Sequence, residues 1–330
     1  MKLKGIILTA CITLMLASCG SKKVFLITLS GENLTALTKV TDSEEPCISP
    51  YGGDNGKDLF FAVRENKEYY NIYKKENAFS ASMSQKTSGK NYNYSPAYNA
   101  ATDRFAFRCQ LEGAATSDIY AMDNSQGKAL SQITESSDAY EDNPCFSTDG
   151  KYLVYDKTMN SYYKVQSGTG LASLFGGSSY SIVMVSRGEI WMRNLQTGEN
   201  TLLGDGVQPA FSPDGKKIVY VKYSADAKSC SIWTMNIDGS NPTQVTDAKK
   251  GYAFHPRFSP DGKKIVFDCY KNDKKDNDIY VIDADGNNLS QITINKSYDG
   301  QPYWTTDGYL YFVSDRGGKA GNRQIWRCKL

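Results

Sequence analysis

The amino-acid sequence predicts an all-β fold, a single β-propeller of six blades with four antiparallel strands each. A motif of proline, any residue, a bulky residue and a small polar residue returns at intervals of 50, 48, 65, 47 and 46 residues. Each interval contains about four short strand-like runs separated by turn residues, over almost all of the 330 residues. Radial repetition of four-stranded units is the architecture of a propeller.

The first strand of each repeat contains the proline motif. Its six copies begin at Pro46, Pro96, Pro144, Pro209, Pro256 and Pro302. In two copies the motif leads into Ser-Pro-Asp-Gly, at 212–215 and 259–262. In such a turn proline fixes φ at the second corner and glycine occupies the fourth. Nine of the ten prolines fall at these two places in the repeat, which indicates a true structural period.

The remaining strands follow in a constant order. Second strands are continuous apolar runs such as 217–221 and 264–267, which is typical of strands covered on both faces. Third strands open with a polar residue, then isoleucine, then tyrosine or tryptophan, at 118–120, 189–191, 231–233, 278–280 and 324–326. A more polar fourth strand ends in Leu-x-x-Ile-Thr, as at 130–134 and 289–293.

The number of blades depends on the long interval of 65 residues. Its excess of about 18 residues over a normal repeat suits an inserted hairpin, and seven blades with one truncated blade is the alternative. The chain ends on a third strand and begins, at 24–38, with half a blade. We therefore expect 24–38 to complete the last blade and to remove its free edge.

These repeats resemble the TolB-type β-propeller repeat family, whose WD-like units contain Ser-Pro-Asp-Gly turns and Asp-Ile-Tyr third strands. The resemblance covers residues 24–330 and implies a domain that binds other proteins. The chain passes almost directly from its N-terminal segment to the first blade, without the α/β domain that precedes the propeller in TolB. We therefore expect a different protein with the same type of repeat, not TolB itself.

The N-terminal segment is predicted to be an export signal. A basic start and an apolar run at 5–17 form a signal peptide over residues 1–18, too short to span a bilayer. The sequence Leu-Ala-Ser-Cys-Gly at 16–20 resembles the lipobox of bacterial lipoproteins, which implies acylation, including palmitate, on Cys19. Residues 19–23 would then be a tether, and the expected location is the periplasmic face of the outer membrane.

Charge and composition argue against several functions. The 38 basic and 36 acidic residues give a formal charge of +2, which disfavours nucleic-acid binding. The single histidine, His255, and the lack of a Gly-x-Ser-x-Gly motif indicate no catalytic constellation, so we expect no enzyme activity. Oligogalacturonate lyases have related propellers, but their manganese site uses several histidines. We predict no cofactor, although a cation such as calcium in the channel stays possible.

Cysteine usage leaves the redox state open. Cys11 leaves with the signal, and six cysteines beyond Cys19 remain, at 47, 109, 145, 230, 269 and 328. An exported protein can form disulfides, which six thiols could pair in 15 ways. The alternative is that these positions are small buried residues.

The candidate binding site is the rim of the central channel. The residue before each repeat proline recurs once per blade and should encircle one mouth: Glu45, Ser95, Asn143, Gln208, His255 and Gln301. Polar side chains that converge there either bind a ligand or only solvate the channel. Tyrosines such as Tyr69, Tyr70, Tyr92, Tyr94 and Tyr140 could anchor a protein or stack on sugars. The leading hypothesis is a monomeric, non-catalytic envelope lipoprotein that binds a protein partner. The alternative is a propeller that binds or cleaves acidic oligosaccharides.

Overall fold

The structure is a computed structural model. It describes residues 34–53, 58–78, 80–125, 130–159, 163–168, 179–184, 188–247, 251–270, 277–318 and 321–330, of which 163–168 and 179–184 are described by their backbone. Within these residues the regular elements are strands, and no helix is present that could cross a membrane. The prediction of an all-β propeller is confirmed. Cys19 and the predicted signal peptide lie outside the described residues.

Strand pairing gives two four-stranded sheets, two eight-stranded sheets and one two-stranded sheet among the described residues. Each eight-stranded sheet consists of two four-stranded groups joined by one parallel residue pair, and the resulting six groups are here called blades 1 to 6. The first strand, β1 (Thr35–Lys39), belongs to blade 6. Blade 1 contains β2 (Cys47–Gly52), β3 (Leu59–Glu65), β4 (Tyr69–Lys75) and β5 (Ser84–Gln85). Blade 2 contains β6 (Tyr92–Asn99), β7 (Arg104–Gln110), β8 (Asp118–Asp123) and β9 (Ser131–Gln132). Blade 3 contains β10 (Ala139–Phe146), β11 (Tyr152–Met159), then, beyond β12 (Tyr163–Gly168) and β13 (Ser179–Met184), β14 (Gly188–Asn194) and β15 (Asn200–Asp205).

The second half of the chain repeats the pattern. Blade 4 contains β16 (Val207–Phe211), β17 (Lys217–Tyr223), β18 (Cys230–Asn236) and β19 (Thr243–Gln244). Blade 5 contains β20 (Tyr252–Phe258), β21 (Lys264–Tyr270), β22 (Asn277–Asp283) and β23 (Ser290–Gln291). Blade 6 contains β24 (Asp299–Trp304), β25 (Tyr309–Ser314), β26 (Gln324–Lys329) and β1. First and third strands begin on one side of the ring, called the front face, and first-to-second turns lie on the back face.

The core lies between the blades. In β17, residues 218–221 are almost completely buried, because sheets cover both faces of a second strand. The largest cluster of buried apolar side chains joins blades 3, 4 and 5. Removal of this apolar surface from water, at roughly 25 cal/mol per Å², holds neighbouring blades together.

The Ser-Pro-Asp-Gly turns form as the sequence predicts. Ser212 Oγ donates to Asp214 Oδ1 at 2.6 Å and accepts the backbone N–H of Lys217 at 2.9 Å. Gly215 has a φ of 67°, a left-handed conformation that glycine adopts at little cost. The turn that begins at Ser259 repeats the serine-to-aspartate bond at 2.6 Å.

The inserted hairpin lies in blade 3, where the sequence predicts one. The strands β12 and β13 pair with each other as a separate two-stranded sheet between β11 and β14. Because β11 and β14 still pair in continuous register from Tyr152 with Asn194 to Thr158 with Gly188, the insertion leaves the blade intact. The hairpin leaves the blade at the front face.

The two ends of the described chain meet in blade 6. Strand β1 pairs antiparallel with β26, from Thr35 opposite Lys329 to Lys39 opposite Trp326. The predicted completing segment was 24–38, and its residues 24–33 lie outside the described residues.

A buried glutamine reinforces this junction. Gln324, which is 4% exposed, accepts from Thr41 Oγ1 at 2.9 Å and from the backbone N–H of Ser43 at 3.1 Å. Its Nε2 donates to the carbonyl oxygens of Ser43 at 3.0 Å and Glu45 at 3.1 Å. One side chain thus bonds β26 to the segment that leads into blade 1.

Candidate functional site

Each blade carries a β-bulge in its first strand, at the residue that precedes a proline. These six residues have left-handed φ values between 49° and 56°, and they are Ser49, Ser95, Asn143, Gln208, His255 and Gln301. The register between first and second strands shifts at each of them. Because a left-handed backbone costs roughly 1–2 kcal/mol without glycine, surrounding bonds must hold each bulge in place.

The predicted rim set needs one correction. Ser95, Asn143, Gln208, His255 and Gln301 occupy the bulge position, but Ser49 takes the sixth place and Glu45 does not. The first blade contains two prolines four residues apart, and Pro50, not Pro46, follows the left-handed residue. Glu45 instead pairs with Arg64, whose Nε donates to Glu45 Oε2 at 2.9 Å.

Side chains of this ring bond to the backbone of the next bulge. Gln208 Oε1 accepts the N–H of His255 at 2.7 Å, which joins blade 4 to blade 5. Gln301 Oε1 accepts the N–H of Ser49 at 2.8 Å, which joins blade 6 to blade 1. These amides therefore stabilise the bulges and hold neighbouring blades in register, a role that the sequence pattern alone does not reveal.

Two buried aspartates on second strands complete the ring. Asp268, on β21, accepts the N–H of Gln301 at 3.0 Å and lies 2.7 Å from Nδ1 of His255. Asp156, on β11, accepts from the N–H of Gln208 and from Asn143 Nδ2, both at 2.9 Å. Burial, reinforced by the nearby Asp142 carboxylate, raises the pKa of Asp156 to about 8.

Five of the six bulge residues line one small axial cavity. Ser49, Ser95, Asn143, His255 and Gln301 surround a space of about 50 Å³. The structure thus brings five residues of the corrected set together around one cavity, and Gln208 does not border it. A binding role for these six residues remains a prediction.

The next level of the channel is formed by the residue after each bulge proline. These residues are Tyr51, Ala97, Cys145, Ala210, Arg257 and Tyr303. The rings of Tyr51 and Tyr303 lie 4.4 Å apart between their centroids. Tyr51 and Arg257 border the small cavity and also a larger one of about 240 Å³ towards the back face. They therefore mark the boundary between two chambers of the channel.

Tyrosines and an arginine lie side by side on the front face of blades 1 to 3. We call Tyr69, Tyr70, Tyr92, Tyr94, Arg108 and Tyr140 the tyrosine–arginine arc; all are partly exposed. Ring centroids of Tyr70 and Tyr94 are 4.6 Å apart, and those of Tyr69 and Tyr92 are 5.7 Å apart.

Arg108 connects the arc across two blades. Its guanidinium lies 5.3 Å from the ring centroid of Tyr94 and 5.8 Å from that of Tyr140. Asp142 lies 3.7 Å from Arg108 Nη1, so the cation also has an acidic neighbour. Partial burial raises the pKa of Tyr94 to about 12, so its hydroxyl stays protonated at neutral pH. The tyrosines of the arc lie within first or third strands, close to their front-face ends.

The described cysteines are all free thiols. They are Cys47, Cys109, Cys145, Cys230, Cys269 and Cys328, and Cys269 is the one that is not buried. Burial raises the pKa of the Cys230 thiol to about 12, and its Sγ donates to the carbonyl oxygen of Ala253 at 3.2 Å. Among the described residues, no group of three or more histidine, cysteine, aspartate or glutamate side chains is arranged to hold a metal ion.

Comparison with known proteins supports the fold. Residues 177–330 match the family model of the TolB beta propeller domain. This match confirms the resemblance to TolB-type repeats that the sequence motifs predict. A search of curated proteins found no match.

Solved structures show the same architecture at low identity. A putative TolB from Agrobacterium tumefaciens is 19% identical with a TM-score of 0.59, and the similarity covers 89% of this chain and 96% of that one. TolB from Acinetobacter baumannii is 18% identical with a TM-score of 0.57, covering 84% of this chain and 65% of that one. An oligogalacturonate lyase in complex with manganese is 16% identical with a TM-score of 0.57, covering 91% and 95%.

Proposed function

We propose that this protein is a non-catalytic lipoprotein of the bacterial cell envelope whose propeller binds another protein through the tyrosine–arginine arc. The arc is the observation that carries this proposal. Tyrosine and arginine are, with tryptophan, enriched at the energetic centres of protein interfaces. The tyrosine rings of the arc already pack against each other, so they lose little conformational entropy on binding.

The contacts of the arc favour a partner with acidic and apolar groups. Arg108 offers a cation between two ring faces, and the rings of Tyr70 and Tyr94 offer apolar area beside it. Arg64 lies nearby, since its charge acts on the Tyr70 hydroxyl. The nearby acids, Glu45 and Asp142, are already engaged with arginines.

A non-catalytic role is supported by the contacts of the single histidine. His255 Nδ1 is held by the buried carboxylate of Asp268, and its backbone N–H is bonded to Gln208. Both bonds stabilise the bulge of blade 5, so this side chain has a structural task.

The first experiment identifies the partner in living cells. A photo-crosslinking amino acid at Tyr92, on the front face, should give one dominant adduct in the source bacterium. The same amino acid at Lys216, in a back-face turn, is the control and should not give it. If both positions give the same adducts, or neither gives one, the front face is not the binding surface.

The second experiment measures affinity with the purified partner. R108A and Y94A should each weaken binding at least tenfold, because each removes a contact at the centre of the arc. R104A is the matched control, since Arg104 lies at the opposite end of β7 and pairs with Asp123 at 3.4 Å. Equal losses for R108A and R104A would contradict the proposal.

A second candidate ligand is an acidic oligosaccharide. Arg108 between two tyrosine rings is also suited to a uronic acid, with stacking on the rings and an ion pair to the carboxylate. Oligogalacturonates tested against the same R108A and R104A pair separate the two hypotheses. Binding that R108A abolishes, or an absorbance rise from unsaturated products, would favour the glycan.

Membrane attachment is proposed from the lipobox. Cys19 would carry the acyl chains, and several chains give stable anchoring at about 0.8 kcal/mol per buried methylene. Labelled palmitate should enter the wild-type protein and be absent from C19S. Incorporation into C19S, or a soluble wild-type protein, would contradict this.

A further inference from the structure

We propose that the central channel binds a small organic monocarboxylate, with the guanidinium of Arg257 as its anion-binding group. This site lies inside the ring, on β20, and is independent of the tyrosine–arginine arc on the front face. Its ligand is a carboxylate attached to a compact apolar body.

The charge of Arg257 is not balanced by a neighbouring acid. Its Nη1 donates to the carbonyl oxygen of Pro256, the preceding residue, at 3.1 Å. No carboxylate in the described part of the chain lies within ion-pair distance of it. A guanidinium has five N–H donors in a planar fork, so most of its donors stay free for a ligand.

The walls of both chambers lack acidic residues among the described side chains. Arg257 is the single charged residue that lines the larger chamber. In the smaller chamber Arg257 and His255 are the titratable groups besides Tyr51, alongside Ser49, Ser95 and amide side chains. The nearby carboxylate of Asp268 lies behind the wall of the smaller chamber, where it is engaged with His255 Nδ1 and the N–H of Gln301. Arg257 therefore faces the larger chamber without an acidic partner among the described residues, which favours an anion there.

The volume and the aromatic walls of the larger chamber determine which apolar body can accompany the carboxylate. Its volume of about 240 Å³ greatly exceeds the roughly 10–15 Å³ that one water needs, so a small organic molecule has room. Phe211, Phe258, Tyr303 and Trp304 are part of its wall. An aromatic or branched apolar body would pack against these rings while its carboxylate meets the planar fork of Arg257.

The carboxylate bound by Arg257 could come from two kinds of molecule. A free organic acid and the C-terminal carboxylate of a peptide present the same group to Arg257. Benzoate represents the first source, and acetyl-Gly-Phe with a free carboxylate represents the second. Whichever binds more tightly identifies the source, and both outcomes support a carboxylate site.

The test uses the intrinsic fluorescence of the full-length protein, since Trp304 lies in the chamber wall. Benzoate should change the fluorescence with saturation, whereas the neutral isostere benzamide at equal concentration should not. R257Q should weaken benzoate binding at least tenfold and R257K less, because lysine retains the charge without the fork. R104Q, at a paired surface arginine, is the matched control.

Three results would overturn the proposal. They are the absence of saturable benzoate binding by the wild type, equal affinity for benzamide, and unchanged affinity in R257Q. If R257Q fails to fold, the comparison of benzoate with benzamide on the wild type and the R257K affinity still decide. Inorganic phosphate that binds as tightly as benzoate would show an unselective anion site and would also overturn it.

Discussion

Replacement of Gln324 by alanine should loosen the junction between the two ends of the chain. The variant removes four hydrogen bonds between β26 and residues 41–45. Each bond contributes about 1 kcal/mol net, and exposed groups regain some bonds to water, so a loss of about 3 kcal/mol is expected. Unfolding entropy is about 2.1 cal/mol/K per residue, or about 0.6 kcal/mol/K for about 300 residues, so Tm should fall by about 5 °C.

The control for this prediction is a glutamine whose bonds stay within one blade. Gln244 donates to Thr246 O at 2.8 Å and to Ser231 Oγ at 3.4 Å. Q244A should lower Tm by only about 1–2 °C, which corresponds to about 1 kcal/mol. Calorimetry gives both values, and hydrogen exchange should show faster exchange of β1 amides in Q324A alone. A Tm within 1 °C of wild type together with unchanged exchange in β1 would refute the reasoning.

Three further predictions concern the ring, the thiols and the turns. The raised pKa of Asp156, about 8, means that the native state retains a proton that the unfolded chain releases above about pH 4. Stability should therefore fall as pH rises from about 4 to 8, and D156N should flatten that slope in urea titrations; an unchanged slope contradicts this. Cys269 should react first with a thiol reagent and the buried thiols only in denaturant, with simultaneous reaction as the contrary result. G215A should cost about 1 kcal/mol, because the left-handed φ is the sole obstacle to a side chain there, and calorimetry showing no loss would contradict it.

Much of the fold follows from periodicity that is visible in the sequence. Three repeated motifs each have a local conformational preference: the prolines, the Ser-Pro-Asp-Gly turns, and the Ile-Tyr or Ile-Trp pairs of the third strands. Their repetition therefore predicts the repeated blade. The extra length between Pro144 and Pro209 predicts the hairpin formed by β12 and β13, because 18 residues suffice for two strands but not for a blade. These signals are local, and local signals are what a sequence records directly.

The error at Glu45 has a physical cause. In the other five blades a large aromatic side chain stands two positions after the bulge proline, but in blade 1 this position is Gly52. A side chain at Gly52 would collide with Thr305 and the ring of Tyr303 from blade 6. Because blade 1 lacks this aromatic residue, the motif aligns on Pro46 and not on Pro50. The spacing of 46 residues from Pro50 to Pro96 would have indicated the correct alignment. A contact between neighbouring blades that are far apart in sequence determined the residue type at this position, and a local motif does not contain that information.

The candidate sites were less predictable for the same reason. The repeat pattern predicts polar residues at one mouth of the channel. Their hydrogen bonds to neighbouring bulges depend on a left-handed backbone conformation, which no sequence motif indicates. Arg257 directly follows a bulge proline, a position that alanine, cysteine or tyrosine occupies in the other blades. The sequence therefore already shows that a charged residue is unusual at this position. Its unbalanced charge becomes apparent only when all six blades surround it.

The pairing of β1 with β26 has a consequence for how the protein matures. Thr35 bonds to Lys329 across 294 residues of sequence, so the sixth blade cannot be assembled before β26 has been synthesised. Contacts at such separation form late and slowly, because a long loop must close first. A chain without β1 would leave the outer edge of β26 unpaired, and such an edge can pair with a strand from another molecule. Strand β1 is therefore made early but finds its partner only after β26 has been synthesised, and its pairing then closes the exposed edge of the sixth blade.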